Sequence, residues 1–328
     1  MVKWGIVGLG QMANHFANAI KKVNDVKILG IASKSKLRLE KFSTEHNISK
    51  DCLFNDYKEL IESNSVDAIY ISTLNNTHID LIHECIENNK NILCEKPMGL
   101  NANEVNSVFH KLKETKINFY EAIAYRAHPQ TLELLRLIKE GEIGEIKKVE
   151  ATFGFKVRKI DKKSRLFNKD LGGGAILDIG CYPISFYNLF STYQYDHKFI
   201  SAKGGCTITG VDDYAEINLL DKKNIELSAK ISLKENLQNK CIIYGSKGTM
   251  QVPTPWLPQK KSYLEIIKKN SYYKKFINTD KNIYTIQIEN VSKIFSKVKS
   301  SENDLLININ ESVSIMKTLD LWRSKINE

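Results

Sequence analysis

Through its first 120 residues the chain alternates between two hydrophobic rhythms. Continuous apolar runs stand at 2–7, 26–32, 67–72, 91–94 and 117–122, and Val66–Ile71 is broken only by Asp67. Runs of this kind belong to strands buried on both faces. Between them, apolar positions recur at helical spacing near 11–22, 36–46, 56–63, 77–88 and 101–114. Strand–helix units of this length predict an α/β fold built on a doubly wound parallel sheet.

After Glu121 the rhythm changes. A helical pattern near 128–139 ends in Glu140-Gly141, where glycine suits a C-cap. Strict alternation follows, with Val149, Ala151, Phe153, Phe155 and Val157 set against Glu150, Thr152, Gly154 and Lys156. Ile225, Leu227, Ala229, Ile231 and Leu233 repeat the habit, and further strands are predicted near 213–220, 240–244, 249–252 and 284–288. A period of two with one polar face means an open-faced, mainly antiparallel sheet. A helical stretch at 311–325 closes the pattern. The prediction is therefore two domains, an α/β domain at 1–121 and an α+β domain at 122–328, with no internal repeat or low-complexity linker.

A length of 328 residues is enough for two cores, and 42% hydrophobic with 26% charged residues is a globular composition. No apolar stretch is long enough to span a bilayer, and the chain enters a strand at Val2, leaving no room for a signal peptide. The expectation is a cytoplasmic protein with no membrane partner. Cys52, Cys85, Cys94, Cys181, Cys206 and Cys241 lie far apart with no C-x-x-C pair. That spacing argues against a metal site, and the cytosol against disulfides, leaving buried reduced thiols. The net charge of +10 raises nucleic acid as a partner, but the lysines are mostly scattered. The one dense cluster runs from Lys260 to Lys281 with Tyr263, Tyr272 and Tyr273 interleaved. A solvated lysine-rich excursion or a local phosphate contact is preferred there over single-strand binding, so no nucleic acid is expected.

Candidate chemistry gathers at strand ends. Gly8-Leu9-Gly10-Gln11-Met12-Ala13 reads G-x-G-x-x-A between the first strand and an amphipathic helix, the context that seats a pyrophosphate on a helix N-terminus. The competing reading is a tight turn without ligand. The second strand runs into Ser33-Lys34-Ser35-Lys36-Leu37-Arg38, where an NAD site usually places an acid for the ribose hydroxyls. Ser33, Lys34 and Arg38 suit a 2′-phosphate, so NADP is favoured, with NAD possible. An ordinary lysine-rich helix start would give the same letters. The third strand delivers Thr73, Leu74, Asn75 and His78 to the same edge. Asn75 would serve equally as a helix N-cap, and His78 as a satisfied surface histidine. Glu95-Lys96-Pro97 follows the fourth strand. Lys96, held extended by its proline, suits proton transfer or carbonyl polarisation, while Glu95 is available to pair with it. Finally, Gly172-Gly173-Gly174 precedes Asp178 and Tyr182. The glycines would let backbone approach a ligand, and residues four apart share a helix face, where a carboxylate beside a phenol makes a proton relay. A glycine loop capped by Asp178 with Tyr182 in the core is the alternative.

With these residues assembled, the chain resembles the glucose–fructose oxidoreductase / inositol dehydrogenase (Gfo/Idh/MocA) family of NAD(P)-dependent oxidoreductases over nearly its whole length. Glu95-Lys96-Pro97, Glu121-Ala122 through Tyr125-Arg126, His128-Pro129, Gly172 through Tyr182, Tyr244 through Thr249 and Pro255-Trp256 carry the resemblance. Leu74 departs from it, standing where relatives often have proline. The resemblance implies a Rossmann domain and an open-sheet domain that often forms dimers or tetramers. It implies hydride transfer between the nicotinamide and a carbinol carbon of a sugar, polyol or nucleotide-linked sugar. Carried over, Lys96 orients the substrate hydroxyl and Tyr182 with Asp178 serves the proton. The expected cofactor-binding set is Gly8, Gly10, Gln11, Met12, Ala13, Ser33, Lys34, Arg38, Thr73, Leu74, Asn75, His78, Glu95, Lys96 and Arg126. A non-catalytic dinucleotide sensor of the same fold is the alternative function, which has no need of the relay.

Overall fold

A computed structural model of the protein describes residues 1–191, 198–297 and 305–326. It divides into two compact units, Met1–Ala127 with Lys281–Ser312, and His128–Asp280 with Val313–Glu328. The chain opens with β1 (Val2–Val7), α1 (Gln11–Ile20), β2 (Val26–Ala32), α2 (Lys36–His46), β3 (Leu53–Phe54) and α3 (Tyr57–Glu62). It continues through β4 (Ala68–Ile71), α4 (His78–Glu87), β5 (Asn91–Cys94), α5 (Ala102–Lys113) and β6 (Phe119–Glu121). The strands lie in the order β3-β2-β1-β4-β5-β6, each pair parallel. The central strands are buried almost throughout, as continuous apolar runs require. Strand β3 was not foreseen, because two residues at a sheet edge carry no periodicity.

The second unit contains α6 (Pro129–Lys139), β7 (Ile146–Gly154), α7 (Ala175–Ile179), α8 (Cys181–Tyr187), β8 (Lys198–Cys206) and β9 (Asp212–Leu220). Then come β10 (Glu226–Ser232), β11 (Lys240–Gly245), β12 (Gly248–Pro253), β13 (Lys261–Lys268) and β14 (Ser271–Asn278). The sheet order is β14-β13-β12-β11-β7-β10-β9-β8, with β7 and β10 parallel and the other neighbours antiparallel. One face buries Val149, Ala151, Ala215, Ile217, Leu227, Ala229, Cys241, Ile243 and Met250. The other carries cross-strand ion pairs such as Lys148–Glu226 at 3.3 Å, Lys203–Glu216 at 2.9 Å and Lys274–Glu265 at 3.1 Å.

One expectation fails here and one is refined. The lysine-rich 260–281 cluster is solvated along β14, as expected, but forms the β13–β14 hairpin rather than an irregular excursion. Its polar side chains meet acids: Tyr273 donates to Glu142 at 2.6 Å, and Lys275 lies 3.5 Å from Glu133. Strand β14 buries only Ile277, so its sequence shows no alternation. The expected strand at 284–288 is instead the start of α9 (Ile283–Phe295), capped by Asn282, which accepts from the Thr285 N–H. Three alternating apolar residues imitate a strand over a short window; the helical repeat emerges only on reaching Val291 and Phe295.

Helix α9 belongs to the first unit, so that unit is discontinuous in sequence and runs beyond the expected 1–121. The Trp4 indole donates to Ser292 Oγ at 3.1 Å and packs its ring 5.4 Å from Phe295 and 5.2 Å from Phe16. Helix α10 (Ile309–Ile326) ends the described chain, with the Trp322 indole donating to the Glu216 carbonyl at 3.1 Å.

The His128-Pro129 pair starts α6. Pro129 takes a first-turn position, and His128 Nδ1 accepts from the Gln130 N–H at 3.1 Å. Burial pushes the imidazole down to about 4, below its ordinary 6.5. A depressed histidine contributes stability that is complete above about 6.5 and is lost as pH falls towards 4. His128→Asn keeps a capping acceptor and removes the titration. Urea melts at about pH 7 and about pH 5 should show a smaller acid-induced drop for this variant than for the wild type.

Candidate active site

In the first sheet β2 lies on one side of β1 and β4 on the other, so the winding reverses at the β1–β4 boundary. Ligands of open α/β sheets bind beyond the carboxyl ends of the strands at such a point. Gly8 leaves β1 with φ +86°; a Cβ there would lie 2.7 Å from Thr73 Cγ2 and 2.9 Å from the Ser72 backbone. The Ser72 hydroxyl donates to the Gly8 carbonyl at 2.8 Å. Gly10 caps α1 without a side-chain hydrogen bond, and nothing lies within 4 Å of where its Cβ would stand. The first turn of α1, Gln11-Met12-Ala13, therefore starts beside open space without an acidic residue. A dinucleotide pyrophosphate fits that opening.

Beyond β2, Ser33 Oγ accepts from the Ser35 N–H at 3.2 Å, and the Ser35 hydroxyl caps α2 through the Arg38 N–H at 3.4 Å. The Lys34 ammonium stands 5.4 Å from the centre of the Tyr57 ring. Burial pushes the Tyr57 phenol up, and the Arg38 guanidinium pulls it down. Tyr57, at the start of α3, joins Ser33, Lys34 and Arg38. It escaped sequence reading because β3, the strand that delivers it, was not visible.

After β4, Thr73 Oγ1 accepts from the Thr77 hydroxyl at 2.7 Å. Leu74 is exposed and occupies the position before a short 3-10 turn, so Asn75 is not the cap of that turn but its buried first residue. His78 is fully buried rather than facing a cofactor. Its Nδ1 lies 2.9 Å from the Pro97 carbonyl and its Nε2 3.3 Å from the Thr73 carbonyl. Burial lowers its pKa, so the ring is neutral at pH 7 and donates to one of these carbonyls at a time. His78 ties the loop after β4 to the Lys96-Pro97 turn.

Glu95 is buried after β5 and accepts from the Tyr70 hydroxyl on β4, whose ring stacks on Phe16 at 4.2 Å. Lys96 is half-buried, and its peptide bond to Pro97 is cis. Tyr284 on α9 shares this neighbourhood: burial and the Glu95 carboxylate push its phenol up while the Lys96 ammonium pulls it down. The mistaken strand at 284–288 concealed it. Arg126, expected among the cofactor residues, is wholly buried. Its two terminal nitrogens meet Glu311 Oε1 at 2.7 Å and Oε2 at 3.0 Å, and its Nε donates to the Leu305 carbonyl at 3.0 Å. These contacts make it a framework group.

In the second unit Asp178 lies on α7 and Tyr182 on α8, with Gly180 between, so the pair does not share one helix face as expected. Asp178 is buried, and Arg165 Nη1 reaches its Oδ1 at 2.8 Å. The half-buried Tyr182 ring sits 5.2 Å from Phe153 in an edge contact and 5.9 Å from Trp256. The glycines accommodate the chain itself. A Cβ on Gly173 would meet the Leu166 and Asn168 carbonyls at 2.8 Å, and one on Gly174 would strike Asp212. Asp212 accepts from the Ile176 N–H at 2.7 Å, and burial pushes its carboxyl up to about 6.

All six cysteines are unbridged. Cys85, Cys94, Cys181 and Cys241 are buried, whereas Cys206 is exposed on β8, against expectation. Among the described residues no cluster of His, Cys, Asp or Glu could hold a metal, and no helix is long and apolar enough to cross a membrane.

Family comparisons agree with this architecture. Residues 2–123 match the oxidoreductase family with an NAD-binding Rossmann fold, and residues 131–251 match the GFO/IDH/MocA C-terminal domain. The chain belongs to the Gfo/Idh/MocA oxidoreductase family. It is thus an enzyme of the NAD(P)-dependent oxidoreductases. A trans-1,2-dihydrobenzene-1,2-diol dehydrogenase of Xenopus tropicalis is 32% identical over 259 residues, 78% of this chain and 77% of that one. The human enzyme of the same name is 29% identical over 260 residues, 78% and 76% of the two chains. Among solved structures, a 3-ketoreductase from Actinomadura kijaniata in complex with NADP and TDP-benzene has a TM-score of 0.87 at 20% identity, covering 99% and 97% of the chains. An aldose–aldose oxidoreductase from Caulobacter crescentus gives 0.88 at 17% identity with the same coverage.

Replacing one member of a buried ion pair strands the other. Arg126→Met should therefore cost about 3–5 kcal/mol of stability, read by urea unfolding, because Glu311 loses its partner. A cofactor-contacting role alone would instead weaken dinucleotide affinity and leave stability nearly unchanged.

Proposed function

We propose that the enzyme uses NADP(H) to move a hydride between the nicotinamide and a secondary alcohol or matching ketone of a sugar, polyol or nucleotide-linked sugar. The observation that carries this is the sheet edge. The glycine turn, the polar loop after β4 and Lys96 all leave adjacent parallel strands there, and β2 offers hydroxyl and cations in place of an acid. The pyrophosphate belongs on the α1 N-terminus, and a 2′-phosphate among Ser33, Lys34, Arg38 and Tyr57. The nicotinamide supplies or takes the hydride. Lys96 donates a hydrogen bond to the reacting oxygen and orients it. Tyr182 exchanges the proton with that oxygen, its phenol hydroxyl acting as the acid in carbonyl reduction. Asp178, held by Arg165, is the acceptor that fixes the relay. Assembly as a dimer or tetramer through the polar sheet face belongs to the same reading, as does a cytosolic location.

Each charge-assisted contact to the phosphate should contribute about 1.5–3 kcal/mol, so calorimetry should give NADP a preference over NAD of about tenfold or more. Equal affinities would remove the 2′-phosphate from this reading.

Turnover should be measured by nicotinamide absorbance with aldoses, polyols, nucleotide sugars and trans-dihydrodiols. Against the substrate that responds, Lys96→Met and Tyr182→Phe should each lower the rate about a hundredfold or more while leaving NADP affinity nearly intact. Tyr182→Phe keeps the ring against Phe153 and Trp256, so stability should change by no more than about 1 kcal/mol. A variant keeping more than about a tenth of the wild-type rate would lose its assigned role.

A further inference from the structure

Glu121 closes β6 and is 2% exposed, and the reaction proposed above makes no use of it. Its Oε1 accepts from the Met98 N–H at 3.1 Å, and its Oε2 accepts from the Ser312 hydroxyl at 2.6 Å. Its own N–H donates to the Ile307 carbonyl at 2.9 Å, and the next residue, Ala122, donates from its N–H to the Cys94 carbonyl at 2.7 Å. The residue is therefore held through its backbone in the strand it ends, and through its carboxylate by the turn that follows β5 and by the beginning of α10. Met98 stands two residues beyond Lys96 in that turn.

The charged and titratable groups around Glu121 come from each neighbouring segment. Across the β5 register lies Cys94, whose buried thiol is pushed well up, in part by Glu121 itself. From α10 comes Glu311, which is clamped by Arg126 and acts to raise Glu121. From the turn comes the Lys96 ammonium, which acts to lower it. Burial outweighs the rest and pushes the carboxyl up to about 7.

We propose that Glu121 is the positioning residue for Lys96: its carboxylate anchors the Lys96-Pro97-Met98 turn through the Met98 N–H and, when ionised, supplies the counter-charge for the ammonium. This rests on the assignment of Lys96 to the reacting oxygen, but the link between the two side chains stands without it. The sign of the pH effect follows. Above about 7 the carboxyl is ionised and the counter-charge present; as pH falls through that value the charge is lost and rate falls with it. Removing the Ser312 hydroxyl withdraws a donor from the ionised form and moves the transition to higher pH.

The direct test needs no substrate. NADP-loaded protein is labelled competitively with acetic anhydride over a range of pH, and Lys96 acetylation is compared by mass spectrometry with that of the other lysines. In Glu121→Gln the ammonium loses one of its neighbouring carboxylate charges, so Lys96 should label about threefold faster or more at about pH 8, other lysines unchanged. Glu121→Asp should restore part of the wild-type behaviour. Ser312→Ala should label faster than wild type near about pH 7 and converge with it at higher pH, which keeps the test decisive if Glu121→Gln does not fold. With the substrate that turns over fastest, Glu121→Gln should lower kcat about tenfold with KM and NADP affinity within about twofold, and the acid limb near 7 should vanish. Unchanged Lys96 labelling in Glu121→Gln, or in Ser312→Ala near about pH 7, overturns the proposal. Changed labelling alongside full activity in Lys96→Met would uphold it while removing Lys96 from the chemistry.

Discussion

A parallel sheet brings the carboxyl ends of all its strands to one edge, and the register decides which residues meet there. Ala32, Val7, Ile71, Cys94 and Glu121 lie in one row across β2, β1, β4, β5 and β6. The residues one step further are Ser33, Gly8, Ser72, Glu95 and Ala122, and the candidate chemistry of this unit begins with them. A slip of a single residue in β5 would take Glu95 out of this row, displace Lys96 beyond it and turn alternate side chains to the other face. What fixes the register is the apolar content of the strands, buried on both faces, so side-chain packing far from any ligand places the groups that would touch one.

The polar groups just behind that row obey a different logic. Glu121, Arg126, Glu311 and Ser312 are almost wholly buried, where charge is costly to desolvate. An apolar replacement of equal volume would often be at least as stable. Their value lies in direction: hydrogen bonds at 2.6 to 3.1 Å fix the end of β6 and the turn after β5 at angles that packing alone would leave loose. Asp212 of β9, whose carboxylate meets the first turn of α7, and His78 between two loops serve comparable ends. Buried polar contacts of this sort connect segments far apart in sequence.

That distinction explains what could be read from the letters. The βα units were legible because a continuous apolar run and a helical repeat are local patterns, and Gly8, Gly10 and Lys96 stand out because they follow such runs. Partners across the chain were not legible. Nothing local says that Arg126 is answered by Glu311, that Gly173 makes room for the Leu166 and Asn168 carbonyls, or that His78 turns inward to Pro97. Periodicity itself failed where both faces of a strand carry lysine and tyrosine, as in β14, and where a helix opens with alternating isoleucines, as in α9. The loss of α9 hid Tyr284, and the loss of β3 hid Tyr57.

The first unit is closed by residues that lie far downstream of it. The core that holds Trp4 and Phe16 also contains Val291, Phe295 and Leu306, and the Trp4 ring packs 5.4 Å from Phe295. During synthesis the ribosome must add the whole 128–280 segment before those residues exist. At about 5–20 residues per second this leaves the glycine turn and its sheet without their final wall for on the order of ten to forty seconds. The nascent sheet is thus exposed to chaperones and proteases for that interval.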